Sequence, residues 1–369
     1  MILNDEEKKI LDGGQGYLAQ KCMNYLIRYG EAAGAARLVD IDGTADIHPG
    51  KINWFPDYSI TMEEVADAAK RGERFKVPTF SNKPNPGLIV DGCEGCGTWP
   101  SSDPAYCKQR LDEYKPLYLM GMVPTLSCDY YLTSSYWPTA GQHCSWGESS
   151  AIPWANAVLG ARCNFDGCFA SAYLGKIPEY DLHLDENRTA AVLVDYADGP
   201  LKNDMEYDLF GWAASEKLEM KVPAFVGIGR PTVSQLVKMN SSLNTGGQVR
   251  MYHIPGITPE ASSLEEAFKG AKPRERLTIT RSDLRRVYDI VNYAKDPDVE
   301  FVYLGCPHYN IVEIQKAAAR LYGKKIKTDL WIMTSPPVYD MAVKMGCKDI
   351  IERAGGKLMS GTCAGELRG

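Results

Sequence analysis

From residue 232 onward the chain alternates predicted helices with short apolar strands, and this pattern constrains the fold more than any other feature. Helical patterns precede five predicted strands, at residues 249–254, 276–280, 299–306, 330–334 and 357–363. Parallel strands need a crossover connection, and a helix is the usual one. The sequence therefore predicts an α/β fold of mainly parallel sheets with covering helices. Two lobes are expected, with a boundary near residues 198–204.

Three cysteines lie where a predicted strand ends and a helix should begin: Cys128, Cys306 and Cys363. In open α/β sheets, ligands bind outside the carboxyl ends of the strands. Soft thiolates favour iron–sulfur, zinc or copper(I), and ligands this far apart in the chain do not follow the close Cys-x2-Cys pairing of structural zinc. Three thiolates are one fewer than the four that close an iron–sulfur cluster. The pattern therefore predicts a metal centre with a position open to substrate.

Charge and hydropathy exclude several other classes of protein. The formal net charge of -6 provides no basic surface for nucleic acid or for an anionic membrane, and no apolar stretch is long enough to span a bilayer. The N-terminus has a helix-capping pattern, Asn4 followed by Glu7, in place of a signal peptide. We therefore expect a cytoplasmic protein with reduced thiols, some of which, such as Cys22, are plain core.

Polar residues that could contact a substrate lie around another predicted helix start. Residues 145–150 (SWGESS) precede a helix predicted over residues 151–159. Backbone amides at such a position favour anions, Ser149 and Ser150 add hydroxyl groups, and Glu148 could act as an acid or a base. A helix cap alone would explain the same residues. Further polar stretches, equally consistent with surface ion pairing, add three candidate substrate ligands: Arg162, Asn164 and His183.

Long segments without a regular pattern, residues 43–58 and 81–103, leave a different function open. The second segment contains Cys93 and Cys96 in a Cys-x2-Cys pair, and Cys107 follows soon after. Such a pair can bind zinc or act as a thiol-redox couple. A zinc or redox module is therefore one alternative, and a scaffold subunit without catalytic activity is another.

Taken together, these motifs resemble the catalytic domain, or large subunit, of the aconitase X family, a divergent branch of the aconitase superfamily. The matching motifs lie at residues 126–132 (LSCDYYL), 146–150, 156–164, 180–188, 304–308 (LGCPH) and 360–363. The resemblance covers most of residues 1–369 and implies aconitase-like lobes. It also implies that Cys128, Cys306 and Cys363 hold iron, as a [4Fe–4S] cluster, a [2Fe–2S] cluster or a single ion.

The activity implied by the resemblance is a hydro-lyase reaction, the reversible dehydration of a small hydroxy acid similar to cis-3-hydroxy-L-proline or phosphomevalonate. Iron would act as a Lewis acid on the leaving hydroxyl, with Glu148 and Ser149 as catalytic residues. His48 matches a loop of the family and is expected to face the same cleft. The catalytic base of the family, a serine, belongs to a small swivelling domain or subunit. Nothing in this chain corresponds to it, so we expect a heterodimer with a small partner.

Overall fold

The structure, a computed structural model, describes residues 1–48, 60–82, 104–134, 136–165, 168–294 and 298–360. Its strands form one five-stranded sheet, two three-stranded sheets and a two-stranded pair over these ranges. The three larger sheets are parallel and carry helices on their faces. The predicted α/β class is therefore confirmed. None of the helices described is long and apolar enough to cross a membrane.

Two helices, α1 (Asp5–Leu11) and α2 (Tyr17–Ala32), begin the chain. The Asn4 side chain accepts a hydrogen bond from the Glu7 amide at 2.9 Å, and the Glu7 carboxylate accepts one from the Asn4 amide at 2.9 Å. This reciprocal capping box starts α1 as the sequence predicts. Cys22 points into the core from α2, where it is fully buried, so its prediction as a core residue is confirmed.

The first sheet consists of β4, β3, β2, β5 and β6 in that order, all parallel. A short antiparallel pair, β1 with β7, lies beside it. The elements of this part are β1 (Leu38–Asp40), β2 (Ala45–Ile47), α3 (Met62–Lys70), β3 (Thr79–Ser81), α4 (Pro104–Leu119), β4 (Met122–Val123), α5 (Tyr130–Thr133), β5 (His143–Trp146), α6 (Ala151–Pro153), β6 (Arg162–Phe165), α7 (Phe169–Leu174) and β7 (Lys176–Pro178).

Most strands of the first sheet do not show in the sequence. Residues 43–58 were expected to be irregular, which is wrong for β2. Residues 145–146, which were expected to precede a helix, form the end of β5. These strands span only two to four residues. They also bury polar side chains such as Asp46 and Ser81. Period-2 alternation of apolar residues, the usual strand signal, cannot appear over so few positions.

The second sheet has the order β10-β8-β9 and is parallel. Its elements are β8 (Val192–Tyr196), α8 (Asp204–Leu218), β9 (Pro223–Val226), α9 (Val233–Gly247), α10 (Leu264–Ala267), β10 (Glu275–Ile279) and α11 (Arg281–Val291). The strand expected over residues 249–254 is wrong, because this segment pairs with β9 only through a bridge between Ala224 and His253. The predicted lobe boundary near residues 198–204 lies in the connection from β8 to α8 and stays a prediction.

The third sheet has the order β11-β12-β13 and is parallel, as its predicted strands and helices require. Its elements are β11 (Phe301–Leu304), α12 (Ile311–Leu321), β12 (Asp329–Thr334), α13 (Pro336–Lys344), α14 (Cys347–Ala354) and β13 (Gly356–Ser360). One face of this sheet packs against the helices through residues such as Ile314, Ile332 and Leu358. The carboxyl edge of this sheet meets that of the first sheet, and the candidate site lies there.

Candidate functional site

Two of the three predicted metal ligands come together where the first and third sheets meet. Cys128 lies in the loop after β4, and Cys306 lies two residues beyond β11. The backbone amide of His308 donates a hydrogen bond to Sγ of Cys128 at 3.4 Å. Burial raises the pKa of Cys128, and the charge of the nearby Cys306 thiol adds to this increase.

Cys363, the third predicted ligand, lies outside the described residues. Within the described ranges, no three His, Cys, Asp or Glu side chains are arranged to hold a metal ion. The strand before Cys363 nevertheless ends at the carboxyl edge of the third sheet, because Ser360 of β13 pairs with Thr334 of β12. The Thr334 hydroxyl donates to the carbonyl of Tyr309 at 2.6 Å, which joins this edge to the turn after Cys306.

A glycine makes the turn that delivers Cys306. Gly305 has a φ of +120°, and a Cβ at this position would lie 2.5 Å from the carbonyl oxygen of Met333. Real Cβ atoms do not approach a backbone oxygen so closely, so only glycine fits here. The backbone of β11 can therefore turn directly against β12, and Cys306 is presented at the end of the sheet.

The loop that carries Cys128 is held by Ser81 at the end of β3. The Leu126 amide donates to Oγ of Ser81 at 3.0 Å, and the Thr125 hydroxyl donates to the Ser81 carbonyl. Leu126 adopts a left-handed backbone with a φ of 48°, a conformation that costs a non-glycine residue roughly 1–2 kcal/mol. Strained positions of this kind persist where surrounding contacts enforce them, and they concentrate at functional sites.

Acidic side chains surround the Cys128 thiol. Asp129 is buried, and burial raises its pKa to about 7 although the charge of Lys238 lowers it. Burial also raises the pKa of Cys128 well above its ordinary range, and the charges of Asp129 and Glu148 add to this increase. The site thus concentrates groups that become anionic, an environment that favours a bound cation.

The predicted acid or base Glu148 lies at this same edge, just beyond β5. Its side chain is buried, and its Oε2 accepts a hydrogen bond from the Ser149 amide at 3.3 Å. Asp46 of β2 lies close to it and accepts hydrogen bonds from Nδ2 of Asn82 at 2.8 Å and from the Gly147 amide at 3.0 Å. Burial raises the pKa of Asp46 to about 7, since it outweighs the lowering by Gly147, and the Glu148 charge contributes to the increase.

Ser149, Ser150 and His48 also lie at the carboxyl edge. Ser150 is buried, and the Ser149 carbonyl accepts a hydrogen bond from Nδ2 of Asn244 at 2.9 Å. The helix expected after them, over residues 151–159, is one turn of α-helix followed by a π-helix over Trp154–Val158. π-Helical turns are frequent at functional sites. His48 directly follows β2 and is half-buried.

Two other predicted substrate ligands, Arg162 and His183, lie at the opposite edge of the sheet. Arg162, the first residue of β6, pairs with Asp185 at 2.6 Å and with Glu260 at 3.0 Å. His183 shares a hydrogen bond of 2.9 Å, between Nδ1 atoms, with His143. Because His143 and Arg162 are paired at the start of their parallel strands, these groups mark the amino edge of the sheet, about 10 Å from its carboxyl edge.

The remaining predicted ligand, Asn164, is enclosed within the protein. Its Nδ2 donates to the Tyr180 carbonyl at 2.9 Å, and its Oδ1 accepts from Nη1 of Arg250 at 3.3 Å. These contacts satisfy the buried amide group and tie β6 to Tyr180 and Arg250. Asn164 lies opposite Ser145 near the carboxyl end of β6, so its role as a substrate ligand stays a prediction.

A largely buried lysine at the site has no signal in the sequence. Lys238 lies on α9, and its Nζ is 3.3 Å from Oε1 of Glu313 and 3.5 Å from the carbonyl oxygen of Pro307, next to Cys306. It also lies 5.0 Å over the ring of Tyr309. Burial lowers the pKa of Lys238, but the charges of Glu313 and Asp129 raise it more, so it remains a cation. Lys238 thus links the second sheet to the carboxyl edges of the other two.

The alternative thiol site lies mostly outside the described residues. Cys93 and Cys96 lie outside the described residues, and Cys107 lies within α4. The zinc or redox module therefore stays a prediction. Two further cysteines, Cys144 of β5 and Cys163 of β6, are neighbours in the strand register and are fully buried, as expected for core residues.

Three family models together match almost the whole chain. The model described as the aconitase X first domain matches residues 1–186, the second-domain model matches residues 189–289, and the third-domain model matches residues 299–368. The first two matches meet between β7 and β8. The second match ends within α11, and the third begins just before β11. Each of the three parallel sheets thus falls within one match.

Similar proteins cover nearly the full length of the chain. The phosphomevalonate dehydratase large subunit of Methanocaldococcus jannaschii is 32% identical over 98% of this chain and 89% of that protein. The cis-3-hydroxy-L-proline dehydratase of Pseudomonas aeruginosa is 30% identical over 97% of this chain and 61% of that protein. The crystal structure of Thermococcus kodakaraensis aconitase X in its holo-form superposes with a TM-score of 0.81 at 32% identity, over 98% of this chain and 89% of that chain.

Proposed function

The chain belongs to the aconitase X family, and from this premise and the geometry of the site we propose that it is the large subunit of an iron-dependent dehydratase. Its relatives are named as dehydratases, so its reaction is a hydro-lyase reaction on a small hydroxy acid, of the phosphomevalonate or cis-3-hydroxy-L-proline type. The observation that carries the proposal is the convergence of Cys128 and Cys306 from separate sheets.

The residues at the site suit a soft metal ion. Two thiols lie together among the buried carboxyl groups of Asp129 and Glu148, and a cation would offset the resulting negative charge. Cys128, Cys306 and, from the segment after β13, Cys363 are the proposed ligands of iron, as a cluster or as a single ion. When bound, iron with an open coordination position supplies Lewis-acid chemistry at the leaving hydroxyl of the substrate.

The protein's own side chains are proposed to handle the proton that the leaving hydroxyl needs. Glu148 has a carboxyl group at the edge where Cys128 lies, and Asp46 stands beside it with a pKa of about 7. Because Asp46 can hold a proton at neutral pH while Glu148 stays oriented by the Ser149 amide, the pair can deliver a proton locally. Ser149, Ser150 and His48 are proposed to orient the substrate from the same edge.

A second polypeptide is proposed to complete the active site. Four relatives that are 31–32% identical to this chain are named as large subunits, a name that implies a small partner. We propose that this partner supplies the base that takes the proton from the carbon next to the leaving hydroxyl. A heterodimer in the cytoplasm is the corresponding assembly, and this chain alone is expected to have little activity.

Metal analysis with cysteine variants tests the proposal. The protein is purified anaerobically, reconstituted with iron and sulfide, and assayed with its small partner on phosphomevalonate and on cis-3-hydroxy-L-proline. Cys128→Ala, Cys306→Ala and Cys363→Ala are expected to lose iron and dehydration together. Cys347→Ala is the matched control, since Cys347 is a buried thiol of the third sheet's helices. Wild-type protein that takes up no iron, or three ligand variants that keep it, would overturn the proposal.

A further inference from the structure

One buried contact joins the loop that carries Cys128 to the turn that carries Cys306. The Ser127 hydroxyl lies 2.9 Å from Nδ1 of His308, and both side chains are almost completely buried. Ser127 belongs to the loop after β4 of the first sheet, whereas His308 follows β11 of the third sheet. The contact therefore spans the two carboxyl edges at the point where the thiols meet.

Ser127 is held by a second hydrogen bond as well. Its oxygen accepts from the Asp129 amide at 3.0 Å, and its hydroxyl proton can be donated to Nδ1 of His308 in the tautomer that leaves this nitrogen unprotonated. The backbone amide of His308 in turn donates to Sγ of Cys128 at 3.4 Å. Ser127 and Cys128 thus contact one residue through two hydrogen bonds, and His308 is fixed relative to both. Cys306 lies only two residues before His308, so its position is tied to the same contact.

We propose that Ser127 and His308 form a positioning pair that sets Cys128 against Cys306 and lets the site retain iron. This inference rests on the proposed function, because the pair has this role only in a chain that binds iron. Replacing residues that hold metal ligands typically weakens metal binding about 10–100-fold, and hydrogen bonds to ligand sulfur atoms help to set the reduction potential. Loss of the pair should therefore loosen the iron and change its spectroscopic signature.

Ser127→Ala removes the hydroxyl and leaves His308 in place. Its control is Ser215→Ala, since Ser215 is a buried serine of α8 whose hydroxyl donates to the Trp212 carbonyl at 2.8 Å. Iron release to a chelator is followed by visible absorption in anaerobically reconstituted protein. We expect release from Ser127→Ala to be about 10–100-fold faster than from wild type, with a shifted reduction potential. Ser215→Ala should match the wild type in both measurements.

Two replacements of His308 separate positioning from any contact with substrate. Asparagine places its amide oxygen near the position of Nδ1, so His308→Asn keeps an acceptor for Ser127, whereas His308→Leu does not. We expect His308→Asn to retain iron nearly as well as wild type and His308→Leu to release it as fast as Ser127→Ala, whatever either does to turnover. Equal release from Ser127→Ala, His308→Leu and wild type would refute the pair. A wild type that never holds iron would instead refute the proposed function.

Discussion

Replacing Lys238 with methionine measures how much the buried charge at the centre of the site contributes to folding. Nζ of Lys238 lies 3.3 Å from Oε1 of Glu313, and their side chains are only 13% and 7% exposed. The same ammonium group lies over the ring of Tyr309 and contacts the Pro307 carbonyl. Methionine keeps most of the apolar stem. The variant therefore leaves the Glu313 carboxylate buried without its cation.

The size of the effect follows from that burial. Removing one partner from a buried ion pair typically costs about 3–5 kcal/mol, because the remaining charge loses its compensation. We expect Lys238→Met to lower the free energy of unfolding by this amount at neutral pH. Glu313→Gln removes the remaining charge, so the double variant should recover part of the loss. Groups in direct contact show coupling energies on the order of 0.5–3 kcal/mol, and we expect this pair to lie in the upper half of that range.

Urea unfolding of the metal-free protein, followed by tryptophan fluorescence, provides the assay. The two single variants, the double variant and the wild type form a double-mutant cycle. Arg285→Met is the control, because the Arg285–Asp289 pair on α11 is 70% and 55% exposed and such a pair contributes only about 0.3–0.5 kcal/mol. A Lys238→Met variant no less stable than this control, or a coupling energy near zero, would refute the reasoning.

Three further predictions concern other parts of the site. Burial raises the pKa of folded Asp46 to about 7, against about 3.9 in an unfolded chain, so this group makes the wild type less stable as the pH rises from about 4 to about 7. Asp46→Asn should flatten this decline in stability, as measured by urea midpoints from about pH 4 to about pH 7. A variant whose midpoints fall with pH as steeply as those of the wild type would contradict the prediction. Arg162→Met removes ion pairs at the amino edge, so it should lower the urea midpoint of unfolding and leave KM unchanged. A higher KM at an unchanged midpoint would instead indicate that Arg162 binds the substrate. Gly305→Ala forces a Cβ to within 2.5 Å of a backbone carbonyl oxygen. It should lower the free energy of unfolding by about 1–3 kcal/mol more than Gly121→Ala, where φ is also positive but nothing lies within 4 Å. Equal urea midpoints for the two variants would contradict the close approach.

The third sheet was predictable from the sequence because each of its elements is long enough to show its own pattern. The predicted helix over residues 311–321 coincides with α12, and the strands differ from expectation only at their ends. The first sheet was not predictable in this way. Its strands are very short and partly polar, and they form because neighbouring strands complete their backbone hydrogen bonds.

The site was predictable only in part, for a related reason. A cysteine at a strand end can be assigned to the carboxyl edge of a parallel sheet from sequence alone, which is why the sequence places Cys128 and Cys306 at one edge, where the structure also has them. Their role as metal ligands stays a prediction. Arg162 and His183 were placed with them because a polar residue carries no sign of which edge of a sheet it lies near. Lys238 was missed because a lysine on an amphipathic helix is normally exposed. Its burial depends on packing between three sheets.

Anomalous diffraction at the iron edge, from crystals of the anaerobically reconstituted protein, tests the metal centre most directly. The expected result is an iron peak within bonding distance of the sulfur atoms of Cys128, Cys306 and Cys363, next to the His308 amide. An iron peak bound by other residues, or no iron at this junction of the two sheets in fully reconstituted protein, would contradict the proposed centre.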